Sequence, residues 1–170
     1  MVKRADALTG SAGVYFVAAQ INAMGYHAAL TIRNVPNVDL LASTLDGSRS
    51  VGIQVKTARY ASRKRGKGNE RATFQYQWAM SENSWKAAVH SKKLLFAFVD
   101  LGCDQGKALA DLPDVYVVPA DFLKDYYREV VKRYGGDPAN WKWKRLHAAA
   151  STFDRFKNNW APLKASLRAK

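Results

Sequence analysis

The chain reads as an α/β protein: an opening helix, then an antiparallel β-meander, within a mixed central sheet flanked by helices. Three observations predict this. Apolar residues recur at helical spacing over residues 11–24, three β-like segments follow between turn residues, and residues 94–101 form a continuous apolar run of the kind found in strands buried on both faces. With 48% hydrophobic and 12% aromatic residues the chain has enough apolar mass for a core, and its 170 residues are expected to form one domain.

Val14, Val17, Ala18, Ile21 and Met24 mark one face of the opening helix, with Thr9 or Ser11 as its cap and Gly25 as its stop. Strands are expected over 26–32, 38–43 and 50–57, separated by Asn34, Pro36 and Asp46-Gly47. The segment 81–91 looks helical and would act as a crossover, returning the chain to the sheet as the central strand 94–101. A short strand at 115–118 ends at Pro119. Residues 120–134 then carry Phe122, Leu123, Tyr126, Tyr127, Val130 and Val131 at helical spacing and close on Gly135-Gly136. The C-terminal region from 120 to 170 is expected to be helical, with a last amphipathic segment around Phe153, Phe156 and Trp160. No internal repeat or linker divides the chain.

Charge points to the partner. The 27 Lys plus Arg outnumber the 14 Asp plus Glu, giving +13 at neutral pH, a balance that favours polyanions such as nucleic acid. No run of about 18 apolar residues suggests a membrane span, and the N-terminus makes a poor signal peptide. One cysteine, Cys103, allows no internal disulfide, so a cytoplasmic protein is expected. His27, His90 and His147 lack ligand spacing for zinc, and Gly66-Lys67-Gly68 lacks the spacing of a phosphate-binding loop. Gly10 and Gly13, near the expected helix start, suit either a phosphate cradle or close packing of that helix on the sheet.

The candidate chemistry lies in Asn37-Val38-Asp39-Leu40-Leu41 and Val51-Gly52-Ile53-Gln54-Val55-Lys56. Strand alternation sends Ile53 and Val55 into a core and projects Gln54 and Lys56 together from the other face. If the two strands pair through the turn at Asp46-Gly47-Ser48, Asp39 joins them. A cation then has Asp39, the Gln54 side-chain oxygen and a backbone carbonyl near Val55 as ligands, while Lys56 orients or deprotonates an attacking water. An ordinary half-exposed strand shows the same alternation. Asp39, however, sits among Val38, Leu40 and Leu41, where a carboxylate is costly without a partner.

Directly after that strand, residues 59–71 hold Arg59, Arg63, Lys64, Arg65, Lys67 and Arg71 against Glu70 alone, and read as a mobile basic loop that clamps phosphates. In Trp141-Lys142-Trp143-Lys144-Arg145 the two tryptophans read as anchors of a loop on the core rather than stacking platforms.

Taken together, Gly10, Gly13, the Val17-Ala18-Ala19 helix, Gly25-Tyr26, the segment Asn34 to Leu40 and Ile53-Gln54-Val55-Lys56-Thr57 resemble the start of a PD-(D/E)XK nuclease-superfamily domain, with Gln54 in place of the usual acidic residue. The resemblance extends more loosely through Phe96 to Leu101 and Asp114 to Pro119. It implies a restriction endonuclease-like fold and Mg²⁺- or Mn²⁺-assisted hydrolysis of nucleic-acid phosphodiesters, DNA ahead of RNA. Asp39 and Gln54 would be metal ligands and Lys56 would lie near the water. Many relatives carry a glutamate where this chain has Val14, so Asp39 is the single formal charge of the site, and the metal is expected to be held weakly without substrate. Superfamily nucleases that cut both strands often dimerise, so a homodimer is possible. Two other readings stand beside this one: a non-catalytic nucleic-acid-binding protein on the same fold, and a basic protein-interaction module with Trp141 and Trp143 as anchors.

Overall fold

The computed structural model describes residues 2–31, 37–65, 73–81, 83–86, 93–133, 135 and 145–168. A long helix α1 (Val2–Ala23) leads into β1 (His27–Leu30), β2 (Leu40–Ser43) and β3 (Ser50–Ala58), an antiparallel meander. Its second turn is built by Asp46, whose carboxylate accepts from the Thr44 hydroxyl and from the Ser48 N–H and hydroxyl, while Gly47 takes the positive φ of 69°. Next in sequence come β4 (Ser62–Arg65) and β5 (Thr73–Ala79). The apolar run then forms β6 (Leu95–Asp100), parallel to β3, and β7 (Asp114–Pro119) pairs antiparallel with it. Helix α2 (Ala120–Arg133), β8 (Arg145–Ala149), the short α3 (Ala150–Phe153) and α4 (Ala161–Leu167) follow.

The protein is thus mixed α/β, with a central sheet ordered β1-β2-β3-β6-β7 and a second sheet ordered β4-β5-β8. Each face of the central sheet has its own core. On one side Val51, Ile53 and Val55 of β3 pack with Val17, Ala18 and Ile21 of α1 and with Leu163 and Leu167 of α4. On the other, Phe96, Phe98, Tyr116 and Val118 meet Leu123, Tyr127 and Val131 of α2 and Trp78, Leu146 and Ala148 of the second sheet. The buried Trp78 Nε1–H donates to the Val99 carbonyl at 3.0 Å, tying the second sheet to β6.

Three expectations change. Helix α1 starts at Val2, well before Ser11, so Gly10 and Gly13 lie inside it and no helix terminus stands there to cradle a phosphate. Gly13 serves packing: a Cβ on it would lie 2.0 Å from Thr57 Oγ1. The basic stretch is not a loop throughout, because residues 62–65 form β4, in register with Tyr76, Gln75, Phe74 and Thr73 of β5. The C-terminal region is not wholly helical either, since β8 completes the second sheet. One cause underlies the last two: the alternating segment 73–79 is a strand, and it offers both neighbours a ladder that outweighs their local composition. Of the expected crossover helix, residues 83–86 are helical, and most of the rest lies outside the described residues, as do Trp141 and Trp143.

Candidate active site

Strand β3 is nine residues long and β2 only four, and the ladder ends with Leu40 opposite Ile53, so residues 54–58 run on past β2. The chain bends at Asp39, whose N–H donates to the Ile53 carbonyl at 2.9 Å, one residue out of step with the ladder. Val55, beyond the end of β2, would have an N–H without a strand partner. The Asp39 carboxylate supplies one, accepting that N–H at 2.7 Å. The Thr31 N–H donates to the Asp39 carbonyl at 3.1 Å, which fixes the bend from the β1 side. Because N–H and C=O of one strand residue leave on the same edge, the Val55 carbonyl faces this edge too.

Gln54 and Lys56 project from the face opposite Val55. Their neighbours across the parallel ladder are Phe96 and Phe98, both fully buried. Gln54 is only 5% exposed, and its Oε1 has no hydrogen-bond partner among the described residues. A buried carbonyl left without a donor costs about 1–3 kcal/mol. At Lys56, burial pushes the ammonium below its ordinary value and the nearby Asp39 carboxylate partly restores it.

Past Lys56 the strand runs into a cleft of about 390 Å³ lined by Thr9, Thr57, Arg59, Tyr60, Gln77 and Gln105, among others. Arg59 Nη1 donates to Gln105 Oε1 at 3.0 Å, which holds the guanidinium at the cleft. Of the other basic candidates, Arg63, Lys64 and Arg65 occupy β4, whereas Lys67 and Arg71 lie outside the described residues. Val14 is half-buried and packs against the α1-side core, so it contributes nothing to the site. Among the described residues no three His, Cys, Asp or Glu side chains gather at one point. A cation here would be held by one carboxylate and neutral oxygens.

Sequence reasoning missed Thr9, Thr57, Gln77 and Gln105. The alternation of segment 73–79 marks Gln77 as a strand residue. Gln105 sits in a turn that no local pattern connects to the site.

The fold defines the class first: a mixed α/β protein with a meander-edged central sheet between helices. The chain is similar to the solved structure of a bacterial homing endonuclease, I-Ssp6803I, with a TM-score of 0.50 and 13% identity over 93% of this chain and 91% of that one. At this identity the likeness is one of fold. No family model and no curated protein matches the sequence. Among the described residues, no helix is long and apolar enough to cross a membrane.

Proposed function

We propose that this chain is a PD-(D/E)XK-type nuclease that hydrolyses nucleic-acid phosphodiester bonds, DNA in preference to RNA, with Mg²⁺ or Mn²⁺. The observation that carries the reading is the buried Gln54 Oε1, without a hydrogen-bond partner among the described residues, on the stretch of β3 that outruns β2, beside Asp39 and Lys56. Asp39, Gln54 and the Val55 carbonyl are the oxygens suited to hold the cation. When bound, a divalent cation supplies positive charge to the phosphate and acidifies a water.

The chain's own residues do the rest. Asp39 is held by the Val55 N–H and gives the site its negative charge. Lys56, with its ammonium destabilised by burial, has an enlarged neutral fraction, and its Nζ is suited to orient a water and take its proton. Arg59 neutralises a phosphate at the adjoining cleft. With one formal negative charge the site holds metal weakly until phosphate oxygens join it. That single charge and Val14 also favour a second reading, a nucleic-acid-binding protein on the same fold that has lost cleavage.

Incubation of plasmid, linear duplex, single-stranded DNA and RNA with Mg²⁺ or Mn²⁺ tests the proposal. Metal-dependent cutting by wild type, lost in both Asp39→Ala and Lys56→Ala, is the expected result. Cutting that survives Asp39→Ala would overturn it, and binding without cutting would favour the second reading. Gln54→Glu restores the missing charge and is expected to tighten Mn²⁺ binding by about tenfold in calorimetry. Unchanged affinity would remove Gln54 from the metal site.

A further inference from the structure

We propose that the solvent face of the second sheet reads base edges in the major groove of duplex DNA and gives this protein a sequence preference. The inference rests on the nucleic-acid reading above and extends it from the site that cuts to the surface that selects.

In β5 and β8, Trp78, Leu146 and Ala148 are buried beneath the sheet. Gln75, Gln77, Arg145 and His147 therefore belong to the outer face. In the register Gln77 stands opposite His147, and on β4 Arg63 and Arg65 hold the positions opposite Gln75 and Thr73. None of the three strands contains an Asp or Glu. A face built for solubility would mix both signs of charge; this one sets Arg145 beside the planar amides of Gln75 and Gln77.

Those residue types are the ones that discriminate bases. A Gln amide matches adenine N6 and N7 in two hydrogen bonds, and an Arg guanidinium matches guanine O6 and N7. The groups are also held in place: Arg145 Nη1 donates to Gln77 Oε1 at 3.4 Å, and Gln77 Nε2 lies 3.3 Å from His147 Nδ1. The B-DNA major groove, roughly 12 Å wide, admits a two-stranded β-ribbon, and the antiparallel pair β5 and β8, with strand axes about 4.8 Å apart, carries Gln75, Gln77, Arg145 and His147. The deep, narrow major groove of duplex RNA does not admit such a surface.

Continuity with the candidate active site supplies the second line of support. Gln77 lines the same cleft as Thr57 and Arg59, immediately past Lys56 on β3. A duplex with a phosphate at Arg59 would thus present its groove to the sheet that carries Gln77.

The test is selection from a randomised duplex-DNA pool without divalent cations, comparing wild type, the Gln75→Ala/Gln77→Ala double variant and Lys56→Ala, with circular dichroism to verify folding. Wild type and Lys56→Ala are expected to enrich the same motif. The double variant is expected to lose about tenfold in enrichment at adenine-containing positions while its salt dependence stays unchanged. A wild type that enriches no motif, a folded double variant that enriches the same one, or equal affinity for duplex RNA would overturn the proposal. Cleavage is scored separately with Mg²⁺: a motif without cutting would sink the nuclease reading and support this one, whereas cutting without a motif would do the reverse.

Discussion

The two sheets put the same two-residue alternation to opposite uses. In β3 the polar set, Gln54 and Lys56, lies against buried Phe96 and Phe98 of the neighbouring strand, and the result is an amide oxygen without a partner among the described residues and an ammonium weakened by desolvation. In β5 the polar set, Gln75 and Gln77, turns away from the core while Trp78 fills it. Polar groups turned inward lose hydration and gain reactivity toward a cation or a proton; polar groups turned outward keep hydration and stay available for hydrogen-bond matching. Which face meets the core therefore separates the proposed site of chemistry from the proposed surface of recognition.

The sharpest way to break that contrast is Asp39→Asn, which keeps an acceptor near the Val55 N–H but removes the charge. Metal-dependent cleavage is expected to fall by about 10²- to 10³-fold, with DNA affinity nearly unchanged in anisotropy titrations. An equal loss in both would mean that Asp39 supports the whole fold rather than the inner site.

Next in size is Gly13→Ala. The added methyl gains up to ~1 kcal/mol of helix propensity, but it would stand 2.0 Å from Thr57 Oγ1 and push α1 off β3. A net destabilisation of about 1–3 kcal/mol is expected in urea unfolding, and Thr57→Ala in the same chain should recover part of it. The second sheet, which α1 does not organise, should keep its Trp78 near-ultraviolet signal at denaturant concentrations below the transition.

Lys56→Met is expected to abolish cutting and yet stabilise the protein by about 1 kcal/mol, because it removes a cation from an apolar setting. The pH dependence gives the sign. Burial holds the folded ammonium below its ordinary 10.5, so the unfolded chain binds more protons between the two values and wild-type stability rises with pH over that range. The variant should lack this rise in thermal melts at increasing pH.

The smallest expected effect is at Asp46, whose carboxyl is held at about 2, first by the Thr44 hydroxyl and then by Ser48, against an ordinary 3.8. Its contribution to stability is present above the ordinary value and disappears as pH falls through about 2. Asp46→Ala should slightly flatten the acid limb of the stability profile without touching activity at neutral pH.

Much of this was legible because the relevant forces are local. The meander, the apolar strand β6, β7 and the helix after Pro119 all announce themselves by periodicity and turn residues, and the turn at Asp46-Gly47-Ser48 brings Asp39 toward Gln54 and Lys56 as its chemistry demands. The second sheet was not legible in the same way. Ser62 to Arg65 and Arg145 to Ala149 look like charged loop and helical tail until β5 stands between them, and strand pairing depends on a partner remote in sequence.

From residue order alone follow the central meander, the basic character and the trio Asp39, Gln54 and Lys56, since a turn and two alternating strands suffice to define them. Tertiary packing alone decided that Gln54 Oε1 is buried, that Gly13 must clear Thr57, and that Gln77 shares a cleft with Arg59. Burial and long-range register are properties of the assembled chain, set by which remote surfaces exclude water together, and no window of sequence contains them.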